Sequence, residues 1–120
     1  FAGRSIVHQG SWFEPTEGRF DLIVSNPPYI RSADIAGLPL GVRGHDPHFA
    51  LDGGADGLGA YKAIFAGARD ALAAKGAIVV EFGAGQGSAV SGLAAGAGLV
   101  ETGSESDLGG LERARAFRAA

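Results

Sequence analysis

The chain has 120 residues, a formal charge of −3 and no cysteine. That size is one domain with a modest core; the absent thiols exclude disulfide and thiolate chemistry, and with no basic run a nucleic-acid backbone is a poor default partner. No apolar run approaches the length of a membrane span, so the expectation is a cytoplasmic protein with no membrane partner.

The sequence begins at Phe1 and enters "RSIV" almost at once, without a cap or lead-in. A piece of a longer protein is therefore expected. Residues 5–8 ("SIVH") predict a short strand, followed by a loop carrying Trp12 and Phe13. "RFDLIV" is the strongest strand signal: a continuous apolar run, as in strands buried on both faces, closed by an Asn-Pro-Pro stop. From Arg31 to Gly57 little is periodic, and Pro39, Pro47 and many glycines predict a long substrate-side loop with a helical turn near Asp34.

Residues 58–74 then predict a helix. Its apolar stripe is Leu58, Tyr61, Ile64, Phe65, Ala68 and Leu72, in steps of three and four. Asp56 is the expected N-cap and Lys75-Gly76 the expected stop. "AIVVEF" predicts a second buried strand, "GAGQG" a turn, and residues 88–97 a helix rich in glycine and alanine. "LVETGSES" and "LERARAF" complete the strands. The alternation predicts an α/β sheet with flanking helices, spanning residues 1–120 as one unit.

Two stretches carry chemistry. "VVEFGAGQG" has the look of a strand and glycine loop for a nucleotide-type cofactor, but a short glycine pattern in a chain with 21 glycines fits a tight strand-to-helix turn beside a site better. The tetrad Asn26-Pro27-Pro28-Tyr29 is more specific. Two prolines fix their own backbone and restrain the residues before them. The Asn26 side-chain oxygen and the Pro27 carbonyl can then accept the two hydrogens of a planar nitrogen, of the amide or exocyclic amine type. Two acceptors orient that nitrogen and stabilise the charge that develops on it during alkylation. Tyr29 can pack against the planar group, and Pro28 stiffens the grip. Glu81, at the end of the second strand, is a further candidate on the substrate side, as is Gln86. His45, Asp46 and His48 lack an element to aim them, and no metal site is expected.

"FDLIVSNPPYI" resembles the signature of class I methyltransferases that modify planar nitrogens. More narrowly, the chain resembles the HemK/PrmC-like protein-(glutamine-N5) methyltransferases of peptide chain release factors. "DPHFALDGGADGLGAYKAI", "GAIVVEFGAGQGSAV" and "DLGGLERARAF" resemble later segments of that family in the right order. The resemblance implies methyl transfer from S-adenosylmethionine to a glutamine side-chain amide. It implies Asn26, Pro27 and Tyr29 as catalytic residues, and Asn26, Pro27, Pro28, Tyr29 and Glu81 as substrate-binding residues. On the cofactor side it implies Ser11, Trp12 and Asn26; Ser11 stands where the family usually has an aspartate near the adenine. The family's cofactor loop lies upstream of the tetrad, so "EFGAGQG" matches a later turn.

The implied fold is a partial, Rossmann-like class I sheet. Of the strand order 3-2-1-4-5-7-6, "SIVH" would be strand 3, "FDLIV" strand 4, "AIVVEF" strand 5, "LVETGSES" strand 6 and "RARAF" strand 7. The first two strands are not represented. The expectations are that this chain alone binds the cofactor weakly or not at all, has little or no activity, and associates with itself through an exposed sheet edge. Two alternatives stand beside this reading: a permuted nucleic-acid amino methyltransferase of the adenine-N6 type, in which "EFGAGQG" would hold the cofactor, and a non-catalytic, self-associating fragment.

Overall fold

The structure is a computed structural model, and it describes residues 9, 12–13, 18–37 and 53–120. The expected strand at 5–8, the cofactor-side Ser11 and the cluster of His45, Asp46 and His48 lie outside the described residues.

The elements run in chain order as strand β1 (Phe20–Ser25), a 3-10 segment (Ser32–Gly37), helix α1 (Gly59–Ala71), strand β2 (Leu72–Glu81), helix α2 (Gly87–Gly96), and strands β3 (Leu99–Ser106) and β4 (Glu112–Ala119). The described strands form one sheet in the order β1-β2-β4-β3. β1 and β2 are parallel, while β4 runs antiparallel to both of its neighbours. This is the 4-5-7-6 portion of the order implied by the resemblance. The architecture is α/β and is consistent with a partial class I methyltransferase sheet.

Two expectations at α1 need correction. The helix stops at Ala71, three residues earlier than its periodicity suggests, because Leu72 turns to extended backbone (φ −88, ψ 133) and pairs with Phe20. Leu72 keeps the stripe's burial while leaving the helix. Residues 73–76 are then spare: the register jumps from Phe20↔Leu72 to Leu22↔Ala77. Gly76 belongs to that bulged stretch, where a Cβ would meet the Phe20 carbonyl at 2.6 Å. Asp56 is not the N-cap either. Leu58 holds that position without a side-chain cap. The Asp56 carboxylate accepts from the Leu58 N–H at 2.9 Å and pairs with Lys62, also at 2.9 Å. It bridges the turn to the first turn of the helix.

Residues opposite each other in a sheet point to the same face. Ile23, Ile78 and Phe117 are thereby aligned on the face covered by both helices, as are Val80 and Arg115. Tyr61, Ile64, Phe65 and Ala68 of α1, with Val90 and Ala94 of α2, close the core against them. Phe65 meets Phe117 edge-on, with centroids 5.6 Å apart, worth about 1 kcal/mol beyond simple burial. Leu22, Val24, Ala77, Val79, Ala114 and Ala116 share the opposite face. There Leu22 and Val24 are 61% and 69% exposed. No helix among the described residues is long and apolar enough to cross a membrane.

Candidate functional site

The parallel strands β1 and β2 end side by side, with Ser25 paired to Val80. Open α/β sheets bind ligands at the carboxyl ends of such strands, and the tetrad leaves β1 there. Pro27 is buried, Pro28 and Tyr29 are half-buried, and Asn26 is exposed. The stiff dipeptide is thus seated in the protein while the amide beside it faces out.

Downstream, the tetrad is held by backbone. The Gly53 N–H donates to the Ile30 carbonyl at 2.6 Å, and the Ser32 N–H donates to the Gly54 carbonyl at 2.9 Å. These two bonds stitch together the described ends of the long loop expected at 31–57. Its middle, residues 38–52, lies outside the described residues. A 3-10 segment falls where a turn near Asp34 was expected, and Asp34 pairs with Arg31 at 2.9 Å.

Asn26 and Glu81 come together. Both line an open cleft of about 350 Å³, with Val24, Ser25, Val79 and Ala114. The Glu81 side chain is exposed, whereas its backbone carbonyl accepts from the Tyr61 hydroxyl at 2.7 Å. Burial pushes the Tyr61 phenol well above its ordinary value, so it remains a donor and ties α1 to the end of β2. Trp12 is not among the residues of that cleft. It is 44% exposed, with φ at 52°, a left-handed backbone that non-glycine residues adopt sparingly. Its neighbour Phe13 packs on α1, where a Cβ at Gly67 would reach the Phe13 ring at 2.8 Å.

A larger hollow of about 460 Å³ is lined by Arg19, Arg69, Asp70 and Leu72, among others. It lies at the amino ends of β1 and β2, the wrong end of a parallel sheet for chemistry.

The glycine turn after β2 has internal reasons for its glycines. A Cβ at Gly83 would meet the Tyr29 ring at 2.8 Å, and one at Gly87 would meet the Glu112 carboxylate and the Arg115 guanidinium; Gly85 has φ of 83°. The Gly83 N–H is already donated to the Gln86 side-chain oxygen at 2.8 Å. A cofactor cradle needs free amides at such a turn. This geometry does not supply one at Gly83, and it places Glu112 against the first residue of α2. Of the residues expected on the methyl donor's side, Asn26 lines the cleft, Trp12 does not, and Ser11 lies outside the described residues.

The hairpin between β3 and β4 rises at this same end of the sheet. Asp107 organises it, accepting from the Gly109 and Leu111 amides and from Arg113, each within 3.0 Å. The Arg113 guanidinium, first, and these amides hold the Asp107 carboxyl below its ordinary range. Arg115 clamps Glu112 through two bonds, of 2.7 and 2.8 Å, and also reaches Ser91 and Glu101. The Arg115 bond lowers the Glu112 carboxyl. The quoted motif "DLGGLERARAF" is thus a capped turn followed by an ion-paired strand that carries α2.

Comparison with known proteins follows the same direction. No protein-family model matches the chain. It is 48% identical over 118 residues, 98% of its length, to the release factor glutamine methyltransferase of Bradyrhizobium diazoefficiens, covering 40% of that protein. It is 49% identical over 110 residues, 92% of its length, to the release factor glutamine methyltransferase of Rhodospirillum rubrum, covering 34%. The protein of that name from Agrobacterium fabrum is 46% identical over 92% of the chain, with 38% of its own length covered. The chain therefore spans about two fifths or less of the curated relatives it matches. Near-half identity over nine tenths or more of its residues, on a sheet with the implied strand order, makes the chain a member of the release factor glutamine methyltransferase family.

Proposed function

We propose that this chain carries the substrate-orienting side of an enzyme that methylates the side-chain amide nitrogen of a glutamine in a peptide chain release factor. The observation that supports it most is Asn26, exposed beside the buried Pro27 at the carboxyl end of β1, over a cleft shared with Glu81. The Asn26 side-chain oxygen and the Pro27 carbonyl each accept one amide hydrogen, so the nitrogen is presented with its face toward the incoming methyl group. As the N–C bond forms, positive charge grows on the nitrogen, and the two oxygens stabilise it. One of the two hydrogens then leaves as a proton. Tyr29 packs against the flat amide, Pro28 keeps the grip rigid, and Glu81 hydrogen-bonds the substrate from the β2 side.

S-adenosylmethionine would supply the methyl group in this reading. Ser11 and Trp12 are assigned to its side on resemblance alone. A release factor as substrate implies work in the cytoplasm. The permuted nucleic-acid alternative is disfavoured, since it needs the 83–87 turn as a cofactor loop, and there Gly83 packs on Tyr29 and Gly87 on the Glu112–Arg115 pair.

The test replaces the matching segment of the Bradyrhizobium relative with this chain. The chimera should methylate a glutamine of purified release factor, and Asn26→Ala should lower kcat about a hundredfold or more. A folded but inactive chimera would sink the assignment; an active chimera indifferent to Asn26→Ala would remove Asn26 from it.

A second reading concerns the chain by itself. Among the described residues β1 pairs only with β2, and Leu22 and Val24 lie exposed beside that edge. Such an edge favours association of copies. Light scattering of the chain should show a mass above one copy that falls on dilution; a monomer at all concentrations would dismiss this.

A further inference from the structure

Gln86 sits where helix α2 begins, yet its side chain makes no cap bond. Glutamine is a poor N-cap, and the favoured residues there are Ser, Thr, Asp and Asn. A local rule broken at a site calls for another use of the side chain.

Both ends of the Gln86 amide are engaged. Its oxygen accepts from the Gly83 N–H at 2.8 Å, and its nitrogen donates to the Tyr29 carbonyl at 3.1 Å. The two partners belong to different elements, the turn after β2 and the last residue of the tetrad. Two glycines of the loop before α1 crowd the same peptide. A Cβ at Gly53 would meet the Tyr29 carbonyl carbon at 2.8 Å, and one at Gly57 would meet the Tyr29 oxygen at 2.6 Å and the Gln86 nitrogen at 3.1 Å. The tetrad is thus fixed at Ser25 by β-pairing and at Tyr29 by a side-chain amide.

We propose that Gln86 is a positioning residue for the Asn26–Tyr29 grip, locking the Tyr29 peptide to the β2 turn so that the tetrad keeps one geometry. This rests on the methyl-transfer reading for its purpose, while the lock itself does not. The chemistry separates Gln86 from its near-isosteres. A glutamate keeps an acceptor for Gly83 but has no donor for the Tyr29 carbonyl; a methionine has neither.

Two measurements test it. Amide exchange and nitrogen shifts are recorded on the chain for wild type, Gln86→Glu and Gln86→Met. Gln86→Met should speed exchange at Gly83 about tenfold and move the Ile30 amide nitrogen, which shares a peptide with the Tyr29 carbonyl, while Val80 exchange stays within about twofold. Gln86→Glu should move Ile30 but keep Gly83 protected. Equal changes at Val80, or none at Gly83 and Ile30, would overturn the lock. In the chimera, Gln86→Met should lower kcat about tenfold with KM for S-adenosylmethionine unchanged. Unchanged kcat would overturn the positioning role. A chimera inactive with Gln86 intact would instead defeat the methyl-transfer reading, leaving the exchange result to judge the lock.

Discussion

The two faces of the sheet are built from the same strands and have opposite fates. On one, Ile78, Val80 and Phe117 are fully buried beneath α1 and α2; on the other, Leu22 and Val24 stand more than half exposed and Val79 is only half-buried. A surface strand normally alternates apolar with polar residues, but "LIV" in β1 and "AIVV" in β2 are apolar on both faces. Such runs are typical of parallel strands covered on both sides. The lesson is that burial here follows which face receives a helix and not the hydrophobicity of the residue. The Asn26–Tyr29 tetrad sits at the boundary, with Pro27 buried and Asn26 in the cleft of the open face.

Substitutions can break or sharpen that contrast. The largest effect should come from the covered face: Phe117→Ala removes the edge contact to Phe65 and leaves a cavity, and should cost about 3–5 kcal/mol in denaturant titration. On the open face, Val24→Thr should change stability by no more than about 0.5 kcal/mol. If the two cost the same, the open face is covered in solution and the contrast fails.

Next comes the seam between the faces. Gly57 has φ of 76° and lies against the Tyr29 carbonyl. Gly57→Ala should cost about 1–3 kcal/mol, since it suffers both strain and clash. A neutral Gly57→Ala would mean that the loop repacks freely around the tetrad.

A smaller effect belongs to the charged margin. Arg115→Met should lose about 1 kcal/mol, reduced at high salt, because its partners Glu112 and Glu101 are only partly shielded from water.

The smallest effect is a pH dependence. The carboxyls of Asp107, Glu112 and Asp56 are held below their ordinary values by Arg113, Arg115 and Lys62 respectively. A depressed carboxyl stabilises the fold above its unfolded value and loses that contribution as pH falls through the folded one. Stability should therefore decline below about pH 4, and Asp107→Asn should flatten part of the decline. An unchanged acid limb in Asp107→Asn would show that the hairpin's pairing does not couple to folding.

Much of this was legible in the chain because it is local. The continuous run "FDLIV" and the Asn-Pro-Pro stop define β1 and its end through backbone constraint alone. The stripe of Tyr61, Ile64, Phe65 and Ala68 declares the buried side of α1. The α/β alternation, and the motif order shared with a family, reach the strand order β1-β2-β4-β3.

What only the tertiary structure decided depends on partners distant in sequence. Leu72 reads as helix by period, yet it becomes strand because Phe20 offers a pairing that one more helical turn would forfeit. Asp56 has the chemistry of an N-cap, but the chain turns so that Leu58 takes that place and Asp56 serves Lys62. The glycines at 83–87 look like a cradle in one dimension; in three, Gly83 accommodates the Tyr29 ring and Gly87 the Glu112–Arg115 pair. Gln86 could be noticed in the sequence, but its hold on Tyr29 spans 57 positions. Sequence patterns report what a residue can bury or cap within its own element. Which backbone group lies within 3 Å of it is set by how the elements pack.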